Sequence, residues 1–464
     1  MTAPINDDNA VSNLLPNSRQ EERQAAQSRK MAYPYRFPRD LRQMGGRYTV
    51  QQNSDRLLRL FYLERRLAQA LGSWTLTIPD FEVKVETGKH IFFHADAAHR
   101  LRERLLEQET RRSDIENYRN ADVDKLIEEA LFAADTPELL VGMHLAIGAA
   151  MERTYRRHIE NTCAITDAPT IRVVRTILMD YEPMLQWAQA AVVAYIEGGV
   201  DESRLEAWRT HISRLLGGLG GICGDETFTP MPLQLRSSHG AYERGTVPCR
   251  DSRFVTFKHT GDYNVADGEP RFELGSYDDQ RLRFVRTQRD EVDAIEAFGT
   301  FLWDIRFKEF DAEYFLARIT WDEARHTDLG HRTMLAIGYD PFELPNRLTS
   351  STCRGPMEPE FAMAEINLFG EIGVLKTIGS LIDEAHRRED TILEHISDYV
   401  RADERTHVRK GQHILKVMTD LGMQDLELRT RELFTECLVS LGALPPGASF
   451  GTLSREEIEY YIGE

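Results

Sequence analysis

One five-residue pattern occurs twice in the sequence, as Asp322-Glu-Ala-Arg-His326 and as Asp403-Glu-Arg-Thr-His407. Both copies lie in long stretches with helical periodicity. Because an α-helix turns once in about 3.6 residues, the glutamate and the histidine of each copy project from one face of their helix. A carboxylate and an imidazole presented side by side, twice, suit a pair of metal ions. The sequence therefore predicts a helical fold organised around a dimetal site.

The surroundings of the two motifs repeat a helix–turn–helix hairpin. Aligning the hairpins places Glu291 and Glu371 at equivalent positions on the helical stretch that precedes each motif. Apolar residues recur every three or four positions around Glu371, so this carboxylate lies on an otherwise apolar, core-facing stripe. A carboxylate or an imidazole in a core costs several kcal/mol unless it is paired or bound to a metal. We therefore predict six metal ligands: Glu291, Glu323, His326, Glu371, Glu404 and His407.

Two neighbouring acids compete with Glu291 for the ligand position on the first helix. They are Asp293 and Glu296, and Glu296 aligns with Lys376 in the repeated hairpin, which counts against it. A single E-x-x-H is expected by chance in a chain of this length and has little specificity. Two copies, each preceded by an aspartate and by a matched upstream glutamate, make coincidence the weaker interpretation.

This arrangement resembles the ferritin-like di-iron and di-manganese carboxylate proteins. Those proteins place one glutamate from each of two helices, and one E-x-x-H from each of the other two, inside a four-helix bundle. The resemblance covers roughly residues 287–420, and Asp322-Glu-Ala-Arg-His326 is also similar to motifs of bacterial di-iron hydroxylases and acyl-carrier-protein desaturases. It implies that Asp322 and Asp403 hydrogen-bond the ligand histidines and orient the imidazoles.

The second motif departs from the stricter D-E-x-R-H form. Arg405 directly follows Glu404 there, so the resemblance assigns this arginine no role. Arylamine N-oxygenases of the same superfamily carry a further histidine one turn before the second E-x-x-H. Val400 occupies that position here, which counts against this subclass.

The resemblance implies an oxidoreductase, a monooxygenase or related oxidase, that uses O₂ to oxidise a small organic substrate. Its cofactor would be two iron ions, and the nitrogen and oxygen ligands leave manganese or a mixed Mn/Fe pair open. Glu323 and Glu404 would be the catalytic residues, and one or both of them would bridge the metals. Implied partners are O₂, the substrate, and a reductase or ferredoxin as electron donor. Apolar residues near the ligands are the predicted substrate pocket, although such side chains are more often plain core: Phe298, Phe301, Leu368 and Phe369.

Two other functions stay open at this point. The first is a ferritin-like metal-binding protein with ferroxidase activity and no organic substrate. The large region ahead of the bundle argues weakly against it, because iron-storing ferritins consist of short single-bundle chains. The second is a structural protein in which the metal only ties the helices together. The reaction subtype also stays open among hydroxylation, desaturation, N-oxidation and cleavage, because one scaffold hosts them all.

The composition of the chain limits the classes of protein and the kinds of partner that fit it. The chain has 464 residues, 41% of them apolar and 28% charged, as in an ordinary globular protein. Its net charge of -18 argues against nucleic acid or an anionic membrane as a partner. The first residues lack the features of a secretory signal, and five scattered cysteines without a C-x-x-C pair predict free thiols. We therefore expect a cytoplasmic protein, with a homodimer left open.

The predicted fold class is mainly α, in five parts along the chain. Short alternating stretches at 253–258 and 271–274 predict a few strands, whereas 441–447 reads as loop, followed by a short helix from Ser454. The parts are a disordered start and arm (1–52), an N-terminal helical domain (53–216), an extended or β connection (217–286), the ferritin-like four-helix bundle (287–424) and a C-terminal tail (425–464).

Further histidines and acids fall outside the repeated hairpins. His90 and His94 are four residues apart and could share a helix face with each other, and His99 follows them. The sequence arranges no carboxylate with these histidines, so we interpret them as satisfied or exposed rather than as metal ligands. The segment from Asp180 to Leu185 resembles a worn copy of the motif that has lost its histidine, and chance similarity explains it equally well.

Overall fold

The structure, a computed structural model, describes residues 21–26, 45–227, 233–254, 256–257, 272–273 and 275–451. This part of the chain is mainly helical, as the sequence predicts. Residues 21–26 form a short helix, and the helices from Val50 onward belong to one compact unit. Most of the predicted disordered start, residues 271 and 274 of the predicted strand at 271–274, and the predicted helix from Ser454 lie outside the described residues. Across the described ranges, every helix is too short or too polar to cross a bilayer.

Among the described residues, eight α-helices form the N-terminal half of the compact unit. Their starts follow local capping chemistry: Thr49 and Gln52 form a reciprocal capping box, and Asp135 caps a helix that has a proline in its first turn. In chain order the helices are α1 (Val50–Trp74), α2 (Phe81–Glu107), α3 (Arg112–Glu116), α4 (Ala121–Leu131), α5 (Thr136–Leu140), α6 (Ala149–Asn161), α7 (Ala168–Glu197) and α8 (Glu202–Gly218), with a π-helix, Val141–Gly148, between α5 and α6 and a 3₁₀ turn, Arg236–His239, after α8.

Eight further helices form the described part of the C-terminal half. Ser276 and Asp390 cap two of them through their side chains. The helices are α9 (Tyr277–Asp290), α10 (Val292–Asp304), α11 (Phe310–Ala336), α12 (Thr349–Arg354), α13 (Pro359–Glu365), α14 (Glu371–Arg387), α15 (Thr391–Met418) and α16 (Met423–Ser440), with a second π-helix, Ile366–Gly370, between α13 and α14.

The two halves share one hydrophobic core. Helix α2 packs against α1 and α11, and α10 packs against α1 and α11. The largest apolar cluster accordingly runs from Leu57 in α1 through Phe298 in α10 to Leu415 in α15. The helices predicted as an N-terminal domain therefore pack directly on α10 and on α11, the helix that carries the first motif.

The connection and the tail differ from their predictions. Within the described residues, the predicted strand at 253–258 reduces to Thr256–Phe257 (β1), which pairs in parallel with Asn346–Arg347 (β2). Helix α9 begins at Tyr277, so the helical part starts ahead of residue 287. The tail holds the helix α16, which packs on α12 and α13, where the sequence indicated no helix before Ser454.

The cysteine prediction is wrong for two of the five residues. Cys353 in α12 and Cys437 in α16 form a disulfide, with Cα atoms 5.8 Å apart. Within the described residues, Cys163, Cys223 and Cys249 take part in no disulfide. The bonded partners are 84 residues apart in the chain and meet only because α16 packs on α12. The spacing of the cysteines along the sequence does not indicate this pair. Because two of the five thiols form a disulfide, the cysteines no longer support the expectation of a reducing compartment.

Candidate metal centre

The structure brings the side chains of all six predicted ligands to one buried point between four helical segments. They are Glu291 at the junction of α9 and α10, Glu323 and His326 on α11, Glu371 at the start of α14, and Glu404 and His407 on α15. Both E-x-x-H pairs point inward because three residues advance a helix by almost one turn.

One half of the centre is arranged around His326. Its Nδ1 atom lies 3.0 Å from Glu291 Oε2, 3.7 Å from Glu323 Oε2 and 3.7 Å from Glu404 Oε1. The side chain of His326 is 2% exposed, so these contacts are formed away from solvent. Glu291, His326 and Glu404 can offer their ligand atoms to a single ion.

The other half repeats this arrangement around His407. Its Nδ1 atom lies 3.1 Å from Glu323 Oε1, 3.1 Å from Glu404 Oε2 and 3.7 Å from Glu371 Oε1. Glu323, Glu371, Glu404 and His407, all buried, form a second set that can hold one ion. Glu404 belongs to both sets, and the two oxygens of Glu323 face different histidines. These two glutamates thus contact both histidines of the cluster.

Each aspartate holds the histidine of the other motif. Asp403 accepts a hydrogen bond from Nε2 of His326 at 3.2 Å, and Asp322 lies 3.4 Å from Nε2 of His407. These contacts direct the Nδ1 atoms toward the glutamates, because a ring nitrogen that donates to a carboxylate leaves the other nitrogen free to ligate. The exchange links α11 to α15 at the level of the ligands.

A residue whose role the sequence analysis missed, Arg325, joins the two aspartates. Its Nη2 atom contacts Asp322 and lies 2.8 Å from Asp403 Oδ2. The sequence feature that could have pointed to this role is the arginine of the D-E-x-R-H form, which is Arg325 in the first motif. Arg405, whose role the sequence left open, is exposed.

Burial and mutual contacts shift the protonation of the centre. Burial raises the pKa of Glu291 to about 8 and, with the nearby carboxylate of Glu371, raises the pKa of Glu404 well above its ordinary value. Burial would lower the pKa of His326 and His407, but the surrounding carboxylates outweigh it and raise both. These shifts favour the protonated forms of Glu291, Glu404 and the two histidines, so a cation entering the centre would compete with protons.

The donor set fits a dimetal group. Glu291 Oε2 and His326 Nδ1 are buried and 3.0 Å apart, and within the described residues neither atom forms a hydrogen bond of good geometry. Buried polar atoms without partners need an explanation, and a cation between them supplies one. Carboxylate oxygens and imidazole nitrogens, with no thiolate in either set, suit iron or manganese.

The two rival acids on α10 have other partners. Glu296, fully buried, contacts Lys84 of α2 and Arg250, and accepts a hydrogen bond from Ser351 at 2.7 Å. Asp293 lies 3.5 Å from Arg354. Glu291 is therefore the acid on this helix that faces the centre.

Two matched glycines let the upstream glutamates approach their partner helices. A Cβ on Gly330 of α11 would collide with the backbone of Arg289 in α9, and a Cβ on Gly411 of α15 would collide with Asn367 in the π-helix before α14. Asn367 also donates from Nδ2 to the backbone oxygens of His407 and Val408. Local π-helical turns recur at functional sites. This one leads directly into α14 and so positions Glu371, the first residue of that helix.

The predicted pocket residues are buried in the main core. Phe298 and Phe301 meet edge to face with ring centroids 6.0 Å apart, and Leu368 and Phe369 belong to the π-helix before α14. All four are members of the largest apolar cluster. A substrate-binding role for them stays a prediction.

Asp403→Asn is expected to weaken metal binding about 10–100-fold while leaving the fold intact, because the amide no longer holds Nε2 of His326 as a charged acceptor. Competition with a chelator of known affinity measures the change. Asp398→Asn, an exposed residue of the same helix that pairs with Arg401, is the matched control. Equal affinity of Asp403→Asn and the unmodified protein would contradict the assigned orienting role.

Comparisons with known proteins add no relative. No protein-family model, curated protein or solved structure matches this chain. The ligand geometry, the exchanged aspartates and the buried charge thus carry the functional argument by themselves. They describe a helical protein with a buried carboxylate and histidine cluster that could hold metal ions.

Proposed function

We propose that the protein is a dimetal oxidoreductase of the ferritin-like di-iron kind, using O₂ to oxidise a small organic substrate. The single observation that carries the proposal is the convergence of four glutamates and two histidines on two overlapping ligand sets that share Glu404. Four buried carboxylates without a cation would be strongly destabilising, whereas two divalent ions balance their charge. The resemblance in the two motifs supports iron as the metal.

The residues of this chain would bind and orient the ions. Glu291 and His326 would hold one ion, Glu371 and His407 the other, and Glu323 and Glu404 would bridge them. Asp322 and Asp403 would keep the imidazoles in one orientation and Arg325 would keep the aspartates in place. The ions, when bound, would supply the electrons and the coordination positions for O₂ reduction. The apolar core beside α10 and α14 would exclude water from the centre.

The experiment loads the full chain with Fe²⁺ without oxygen and then mixes it with O₂. We expect metal bound in a ratio of two per chain, O₂ uptake in proportion to the loaded centre, and continued uptake only with an external reductant. Uptake of many irons per chain would instead favour a ferroxidase. Bound metal that ignores O₂ would overturn the proposal and leave a structural role.

A further inference from the structure

The outer face of α11 and α15, next to the candidate metal centre, carries a group of positively charged side chains. They are Arg318 and Arg325 on α11 and Arg409 and Lys410 on α15, which we call the basic patch. Burial and the nearby charge of Arg318 lower the pKa of Lys410, so the two helices bring their cations close together. Arg409 is exposed and donates to a backbone oxygen, and Lys410 lies over the ring of Phe315 at 4.9 Å. These uncharged partners leave both positive charges in place.

The carboxylates that pair with the arginines of α11 are turned away from solvent. Arg318 lies 2.8 Å from Asp322, and Arg325 contacts Asp322 and lies 2.8 Å from Asp403. The two aspartates, which also contact the ligand histidines, are 3% and 21% exposed, whereas the two arginines are 33% and 37% exposed. Solvent therefore meets mainly the guanidinium groups. The whole chain has a net charge of -18, so this face is opposite in sign to the protein as a whole.

A partly exposed tryptophan lies within the basic patch. The ring centroid of Trp321 on α11 is 4.8 Å from the guanidinium carbon of Arg318 and 5.6 Å from that of Arg325. On its other side the ring stacks on Phe92 of α2, with centroids 4.8 Å apart. Aromatic residues and arginine are the side chains most enriched where proteins bind other proteins. This face therefore offers an apolar contact surrounded by positive charge.

The basic patch is also close to a candidate metal ligand. Nη2 of Arg325 lies 2.8 Å from Oδ2 of Asp403, and the same oxygen accepts a hydrogen bond from Nε2 of His326 at 3.2 Å. Two hydrogen bonds thus connect a surface arginine to the buried centre. The oxidation proposed above takes electrons from outside the chain, and their donor has to come near the centre without entering the core. The outer face of α11 and α15 gives it a short approach.

We propose that the basic patch and Trp321 form the docking surface for an acidic one-electron carrier, an iron–sulfur protein of the ferredoxin kind, that reduces the dimetal centre. This inference rests on the proposed function. Each docking event oxidises the carrier by one electron and reduces the centre by one, so two events supply a pair of electrons. Opposite charges steer such encounters and speed association. A few charges around one ring suit a small interface from which the oxidised carrier leaves again.

Binding of a plant-type two-iron ferredoxin, used as the acidic probe in its oxidised form, tests the docking surface. The full chain is stripped of metal and titrated by calorimetry at low ionic strength. We expect Arg409→Glu/Lys410→Glu to weaken binding at least about tenfold, because like charges would then face the carrier. Arg209→Glu/Arg214→Glu is the matched control: it makes the same charge change at two exposed arginines of α8, which packs on α4, α5 and the first π-helix. This control should bind as tightly as the unmodified protein.

Three results would overturn the docking surface. The first is equal affinity of the patch variant and the unmodified protein, and the second is an equal loss of affinity in the α8 control. The third is an unmodified protein that does not bind the ferredoxin at low ionic strength. If an acidic acyl carrier protein binds the patch in that case, the patch receives a carried substrate and the assignment to an electron carrier is wrong.

A second measurement follows reduction of the iron-loaded, oxidised protein by its absorbance. We expect Arg409→Glu/Lys410→Glu to slow reduction by reduced ferredoxin at least about tenfold. Reduction by dithionite at high ionic strength, where surface charge is screened, should be unchanged. Equal rates with ferredoxin would show that electrons enter elsewhere. Because the titration uses metal-free protein, a centre that ignores O₂ leaves its result unchanged, so failure of the docking surface and failure of the proposed function are distinguishable.

Discussion

Glu404→Gln is expected to remove most of the metal from the dimetal centre and to abolish O₂ uptake. Glu404 is the one residue common to both ligand sets, and its two oxygens face His326 and His407 separately. An amide offers one neutral oxygen in place of two charged ones, so both ions lose a ligand and the charge balance at once. Iron counting and O₂ consumption on the same preparation measure the effect.

The matched control for this variant is Glu394→Gln. Glu394 lies on the same helix, α15, two to three turns before Glu404, where it pairs with His386 at the surface. Its replacement should change neither the metal content nor O₂ uptake. A Glu404→Gln protein that keeps a full complement of tightly bound metal would show that the two sets do not share a bridge, and the dimetal proposal would fall.

Glu296→Gln is expected to destabilise the protein by about 3–5 kcal/mol, because it leaves two buried cations without a counter-charge. Lys84 and Arg250 both contact this carboxylate, and their side chains are 1% and 4% exposed. Burial already lowers the pKa of Lys84 to about 8, which shows the cost of keeping it charged. Urea unfolding followed by circular dichroism measures the free energy of unfolding.

A comparable ion pair at the surface provides the control. Glu82 on α2 pairs with Arg253, with side chains 57% and 47% exposed, and Glu82→Gln should cost no more than about 1 kcal/mol. The experiment also separates the two assignments of the first ligand. If Glu296 were the ligand, its replacement would lower the metal content at nearly unchanged stability, and the assignment of Glu291 would be wrong.

The repeated motif and its upstream glutamates were readable because helical periodicity is a local property. Residues three or four apart share a face wherever a helix forms, so the pairing of Glu323 with His326, and of Glu404 with His407, needs no knowledge of the rest of the chain. The same reasoning placed Glu371 on an apolar stripe. It could not exclude Glu296, because Glu291 and Glu296 differ in surroundings only once Lys84 and Arg250 are in place.

Contacts between segments that are far apart in the sequence could not be predicted from the periodicity of the residues. The disulfide between Cys353 and Cys437, the helix α16 and the approach of Glu64 to His94 depend on which helices pack together. A single sequence indicates on which face of a helix a residue lies, but it does not indicate which other helix packs against that face.

The sequence by itself determined a mainly helical chain with six candidate ligands on apolar stripes, because burial periodicity and side-chain chemistry are written residue by residue. Only the tertiary structure decided that Asp322 holds His407 and Asp403 holds His326, and that Glu404 lies between both histidines. The physical reason is that α11 and α15 are separated in the chain by α12, α13 and α14. Their relative position comes from the packing of the shared core and not from any local preference.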